Sequence, residues 1–125
     1  MSEASPIDAE FARRFADTWM DAWNWGEAER LLRRCAEDVI VQSPRISASD
    51  GGAPGLLLGK AMVRRYWERV MKDDPNSFPV EVVDVLVGVG CLTLYLRINE
   101  KLRAETFFFN SENLIVRLVV MYSLV

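Results

Sequence analysis

The chain contains no histidine at all, and only two cysteines, Cys35 and Cys91, among its 125 residues. A histidine-dependent zinc site, a Ser–His or Cys–His nucleophile and a histidine general base are therefore excluded within it. The cysteines form no C-x-x-C pair, and nothing in the sequence predicts a metal site or a cofactor. Long hydrophobic runs are also missing: the stretch 114–125 is interrupted by Arg117 and Ser123 and is too short to span a membrane. The first residues, 1–8, are polar, which predicts no secretory leader. Two scattered thiols without a leader predict a reducing cytoplasm. Net charge is small, formally −3, so no global attraction to nucleic acid or to anionic lipid is expected. Arg30, Arg33, Arg34, Arg64, Arg65 and Arg69 do cluster, but among Glu27, Glu29, Glu37 and Glu68, as solvated helix faces do.

What is present is apolar residue, half of the chain, enough to build one core of the usual size for a single domain spanning 1–125. Ser5-Pro6-Ile7-Asp8 reads as a helix start, with Ser5 as cap, Pro6 at the first helical position and Asp8 closing a capping box. Ile7, Phe11, Phe15, Trp19, Ala22 and Trp23 then recur at helical spacing, and Gly26 stops the helix. A second helix is predicted over 27–36, with Leu31, Leu32 and Cys35 on its apolar side, and a strand over 38–43, ended by Pro44. The segment 45–59 reads as a loop; Leu56, Leu57 and Leu58 are expected to fold back over the core or a pocket mouth, and Asp50 reads as a solvated turn residue. A third helix over 60–72 carries Tyr66 and Trp67 on its stripe. Strands follow over 78–87, 91–98, 102–110 and 114–123, joined by short turns. A curved sheet wrapped around the helices is the economical way to bury these stripes.

Several local signatures carry a resemblance. They are Trp19-Met20-Asp21-Ala22-Trp23-Asn24-Trp25-Gly26-Glu27, Cys35-Ala36-Glu37-Asp38-Val39, Ser43-Pro44, Gly59 before the helix bearing Tyr66-Trp67, and Phe107-Phe108-Phe109-Asn110. In order and spacing they resemble the nuclear transport factor 2-like superfamily, in particular its SnoaL-like members. The resemblance implies an α+β cone of the cystatin-like class: a curved antiparallel or mixed sheet around three N-terminal helices, with an apolar interior open at one end. It also implies a homodimer formed through the outer sheet face. Members include isomerases, cyclases, dehydratases, epoxide hydrolases and plain binding domains, so fold does not decide function.

Set against the steroid-isomerase pattern, the general-base position falls on Ser43, the oxyanion-hole tyrosine on Trp19, and two supporting polar positions on Cys35 and Trp67. A serine has no activating partner in a chain without histidine, and an indole N–H donates but does not accept. The third position, a late-strand acid, falls on Glu105, the candidate catalytic residue. A two-residue turn at Asn99-Glu100 would pair Leu94 with Glu105 and Leu96 with Arg103. Glu105 then shares a face with Arg103, Phe107 and Phe109, and a carboxylate there needs a partner or is driven neutral. Surface pairing with Arg103, Arg97 or Arg117 is the other reading, and Arg97 with Glu105 faintly echoes an epoxide-hydrolase set. Trp19, Trp23, Cys35, Ser43, Leu57, Trp67, Leu94 and Phe107 are the expected ligand-binding residues.

These residues point to a pocket for a hydrophobic, cyclic small molecule, with isomerase-, cyclase- or dehydratase-like acid–base chemistry through a lone carboxylate as its extension. The alternative is a non-catalytic dimerisation or protein-interaction module using Cys91, Thr93, Tyr95, Thr106 and Phe108 on the outer face.

Overall fold

The structure, a computed structural model, describes residues 7–124. Ser5 and Pro6, the expected cap and first helical residue, lie outside the described residues. Helix α1 (Ala9–Asn24) is capped by Asp8 itself, whose carboxylate accepts from the Glu10 and Phe11 amides at 2.7 and 3.2 Å. Its predicted stripe is its buried face: Phe15, Trp19 and Trp23 interleave with Ala12, Ala16 and Ala22, small residues that let the helix approach the sheet closely. Gly26, at φ +66°, ends it, and the Glu27 amide returns to the Ala22 carbonyl.

Helix α2 (Ala28–Leu32) is shorter than its periodicity predicts. The Ile115 amide donates to the Arg34 carbonyl at 2.7 Å and Cys35 pairs with Ile115, so sheet pairing takes over where the helix was expected to continue. Cys35 therefore opens strand β1 (Cys35–Gln42) and is not a helical residue.

The loop 45–59 is more ordered than composition suggests. A 3₁₀ turn (Ala48–Asp50) and strand β2 (Leu56–Leu58) occupy it, and β2 pairs antiparallel with β1. Leu57 is buried in the core, whereas Leu58 is exposed. Asp50 is not a solvated turn residue. Its side chain is almost fully covered and accepts from Arg69 at 2.8 Å and from the Ser47 amide at 2.8 Å, tying the loop to α3 (Lys60–Asp73). Burial pushes its carboxyl up, but the bonds from Ser47 and Arg69 outweigh that and hold it below the ordinary value.

Strands β3 (Val80–Val87), β4 (Cys91–Ile98), β5 (Lys101–Phe109) and β6 (Ile115–Tyr122) complete one six-stranded sheet in the order β2-β1-β6-β5-β4-β3. It is mixed: β1 runs parallel to β6 and every other pair is antiparallel. The β4–β5 register is the predicted one, Leu94 opposite Glu105 and Leu96 opposite Arg103. Asn99 and Glu100 both hold positive φ, 53° and 66°, as a two-residue hairpin turn of this twist requires. Asn24, at the end of α1, clamps both backbone groups of Val80, donating to its carbonyl at 3.0 Å and accepting from its amide at 2.7 Å. That bond pair pins the edge strand to the helix, a role its position in a stop signal did not reveal.

The arginine cluster is largely spent on neighbours. Arg30 pairs with Asp21 and Glu27, and Arg64 with Glu29. Arg34 departs from the solvated-face expectation: its guanidinium sits 5.2 and 5.7 Å from the Phe15 and Phe11 ring centres, and burial pushes its pKa down. Among the described residues no helix is long and apolar enough to cross a membrane.

Both cysteines are free. Cys35 is buried, and desolvation pushes its thiol up to about 12. A thiol so raised carries almost no thiolate at pH 8. Native protein treated with a disulfide reagent is therefore expected to release one equivalent of chromophore, from half-buried Cys91, and a second only in denaturant. Two equivalents under native conditions would contradict the packing around Cys35.

Candidate functional site

The helices and the concave sheet face enclose a small cavity. Helix α1 contributes Trp19 and Trp23, and α3 contributes Tyr66, Trp67 and Val70. Strand β1 and the turn after it supply Val41, Ser43 and Arg45, and β5 supplies Arg103 and Glu105. Leu118, Val120 and Tyr122 of β6 complete the wall, with Asp74 and Ser77 from the turn that follows α3. The tryptophans meet edge to face, Trp19 to Trp67 at 5.7 Å and Trp23 to Trp67 at 6.3 Å between ring centres.

Glu105 stands at the polar centre. Strand alternation turns it inward, where it is 3% exposed. One carboxylate oxygen accepts from the Trp19 indole N–H at 3.1 Å, and the other pairs with the Arg103 guanidinium at 3.1 Å. Glu105 thus faces inward and its pairing with Arg103, two residues away on the same face, is buried and not a surface contact. Arg97 is instead bound to Glu81 at 3.0 Å and Arg117 to Gln42, so the Arg97–Glu105 echo has no counterpart in space.

Of the expected ligand-binding residues, Trp19, Trp23, Ser43 and Trp67 do line the cavity with Glu105. Cys35, Leu57, Leu94 and Phe107 do not line it; they are packed in the core around it, Phe107 against Trp19 and Phe15. Ser43 has a structural bond set: its hydroxyl accepts from the Arg45 amide at 3.3 Å and faces the Tyr122 hydroxyl at 3.5 Å. Desolvation above all pushes the Tyr66 phenol up to about 12, so it stays neutral and able to donate. Three buried donors have no hydrogen-bond partner among the described residues, Trp23 Nε1, Arg34 Nε and Arg103 Nε, and the side chains of Trp23 and Arg103 border the cavity. The expected ligand-binding set did not include Arg103, Tyr66 and Tyr122, which line the cavity. For Arg103 the signal was available, two places from Glu105 on one strand face.

Size corrects the picture of a roomy apolar cone. The inner cavity has a volume of about 40 Å³, room for a few waters and well below the ~150 Å³ that accommodates a benzene ring. Trp19 and Glu105 touch, so no ring fits between them. An outer hollow of about 330 Å³ adjoins it, sharing Arg45, Asp74, Ser77, Arg103 and Tyr122 and adding Asn76, Ile98, Asn99, Lys101 and Leu102. Together they form a narrow polar-ended throat behind a wider mouth. No group of Cys, Asp and Glu among the described residues is placed to hold a metal ion.

No family model matches the sequence, and no curated protein is similar to it. Solved structures are. A SnoaL-like protein of unknown function from Burkholderia thailandensis superposes with a TM-score of 0.87 at 29% identity, over 95% of this chain and 99% of that one. The chain has the SnoaL-like, nuclear transport factor 2-like α+β fold. Other structures similar to this SnoaL-like chain share the fold alone. SalBIII, an epoxide hydrolase/cyclase-like enzyme of pyran ring formation in salinomycin, has a TM-score of 0.66 at 14% identity, with 94% of each chain covered. A computationally designed 17-OHP binder has 0.68 at 18% identity, covering 90% of this chain and 91% of that one. The same fold thus occurs in both an enzyme and a ligand binder.

Proposed function

We propose that this single SnoaL-like domain binds a small, mostly apolar molecule. Its body lies in the outer hollow and one polar group reaches the inner cavity. The observation that carries this reading is the pair of unpartnered donors that border the cavity, Trp23 Nε1 and Arg103 Nε, beside a carboxylate held by Trp19 and Arg103 in a wall that is largely aromatic and aliphatic. Orphaned buried donors cost stability, and a ligand acceptor would repay that cost. Any acid–base step on the bound molecule runs through Glu105. Asp74, the other carboxylate lining the cavity, has one oxygen accepting from the Asn76 amide and the other from the Ser77 hydroxyl. The two free thiols support a reducing cytoplasm as its location.

Calorimetric titration with 2-naphthalenemethanol, a neutral ring with one hydroxyl, tests the pocket. Saturable one-site binding with Kd on the order of 0.1 mM is expected for a ligand of that size. Val70→Phe, which fills the inner cavity from α3, is expected to weaken it about tenfold, as is Glu105→Gln. Binding untouched by both substitutions, or none at all, would reject the pocket.

A second reading is carried by a separate surface. The register puts Leu86, Tyr95, Phe108 and Met121 together on the outer sheet face, all exposed, around the Thr93–Thr106 hydroxyl pair. Contiguous exposed apolar residues of this kind mark interfaces, and we read this face as the homodimer contact. Light scattering at micromolar concentration is expected to give a dimer mass, and Phe108→Asp a monomer. A wild-type monomer would exclude this contact.

A further inference from the structure

The outer hollow is electrically unlike the rest of the molecule. The chain carries a net −3, yet the side chains around this mouth include Arg45, Lys101 and Arg103 and one carboxylate, Asp74. Asp74 is committed to capping the turn after α3, and the charge of Arg103 is matched by Glu105. Arg45 and Lys101 have no ion-pair partner among the described residues. Arg45 is also held in place: its guanidinium lies 4.5 Å from the centre of the Tyr122 ring, and that of Arg103 lies 5.7 Å from the same ring. Stacking orients the planar fork of Arg45 while leaving its donors unspent. Asn99 donates to Asn76 at 3.3 Å, tying the hairpin that bears Lys101 to the turn after α3. Ile98, Leu102 and the Tyr122 ring line the same hollow and give it an apolar part.

We propose that this mouth is a carboxylate-recognition rim and that the ligand class is a small amphipathic carboxylic acid. The ligand's anionic end would be bound at the rim by Arg45 and Lys101, and its apolar body would lie in the outer hollow against Ile98, Leu102 and the Tyr122 ring. The inference rests on the pocket reading above and adds the sign and chemistry of the ligand. A carboxylate suits the site because a planar guanidinium offers it two parallel N–H donors. Both cations are exposed enough to attract the anion from solution, and salt should weaken that attraction.

The test compares 2-naphthoate with 2-naphthalenemethanol, the same ring with a charged or a neutral end, by calorimetry on wild type and on Arg45→Gln/Lys101→Gln. Wild type is expected to bind the naphthoate about tenfold more tightly than the alcohol at low salt, the effect of one charge-assisted contact. Raising salt should narrow that gap. The double variant should keep the wild-type circular dichroism spectrum and denaturant midpoint, which establishes its fold, and should bring the two ligands within about twofold of each other. Equal binding of both ligands by wild type would overturn the rim and leave the pocket standing. A naphthoate preference that survives in the double variant would do the same. Failure of both ligands to bind would overturn the pocket and the rim with it.

Discussion

Arg103→Met, with Glu105 left in place, is expected to lower the unfolding free energy by about 3–5 kcal/mol, because it strands a buried carboxylate. Both side chains are nearly covered, 11% exposed for Arg103 and 4% for Glu105, so solvent cannot stand in for the lost cation. The remaining bond from Trp19 satisfies one oxygen and leaves the other facing an apolar wall. In a domain of this size the loss should appear as a fall in Tm of roughly 10 °C or more. The double variant Arg103→Met/Glu105→Leu is expected to recover most of it, since removing both charges also removes their desolvation cost. Urea unfolding of the two single variants and the double variant gives the coupling directly. A loss below about 1 kcal/mol for Arg103→Met would mean that water reaches Glu105 and that the pair behaves as a surface bridge.

Two adjacent phenylalanines make the second large prediction. Phe107 is fully buried against Phe15 and Trp19, at 4.8 and 4.9 Å between ring centres, whereas Phe108 points outward and is 38% exposed. Phe107→Ala is expected to cost about 3–5 kcal/mol, lost burial plus the cavity left beside Trp19. Phe108→Ala is expected to cost less than about 1 kcal/mol in the isolated chain. Denaturant midpoints at low protein concentration, where any dimer is dissociated, should separate them clearly. Equal costs would mean that the β5 face assignment is wrong, and Glu105, two residues before Phe107, would lose its inward orientation with it.

That alternation is the part of the site legible beforehand. The Asn99-Glu100 turn sets the β4–β5 register, the register sets the face, and the face places Glu105 among leucines and phenylalanines. The stripe of α1 likewise points Trp19 and Trp23 at the same interior. The partner of Glu105 was left open among three arginines, because strand spacing says which side chains share a face and not how their long ends bend. Asp50 was misread for a related reason. Its Gly- and Ser-rich surroundings describe a flexible loop, but its fate depends on Arg69, a helical residue that only the folded chain brings within 2.8 Å. Cys35 changed element because β6, remote in sequence, offers the Arg34–Cys35 backbone a partner that outweighs one more helical turn.

Taken alone, the order of residues determined the two long helices, the hairpin register, which side chains share a sheet face with Glu105, and the exclusion of histidine chemistry. All of these follow from local periodicity, turn geometry and composition. Tertiary structure alone decided how much room lies beside Glu105, which cation holds it, and that Arg45 and Lys101 line one mouth. Volumes and charge pairings of this kind depend on where distant elements stop against each other, and no window of neighbouring residues contains that information.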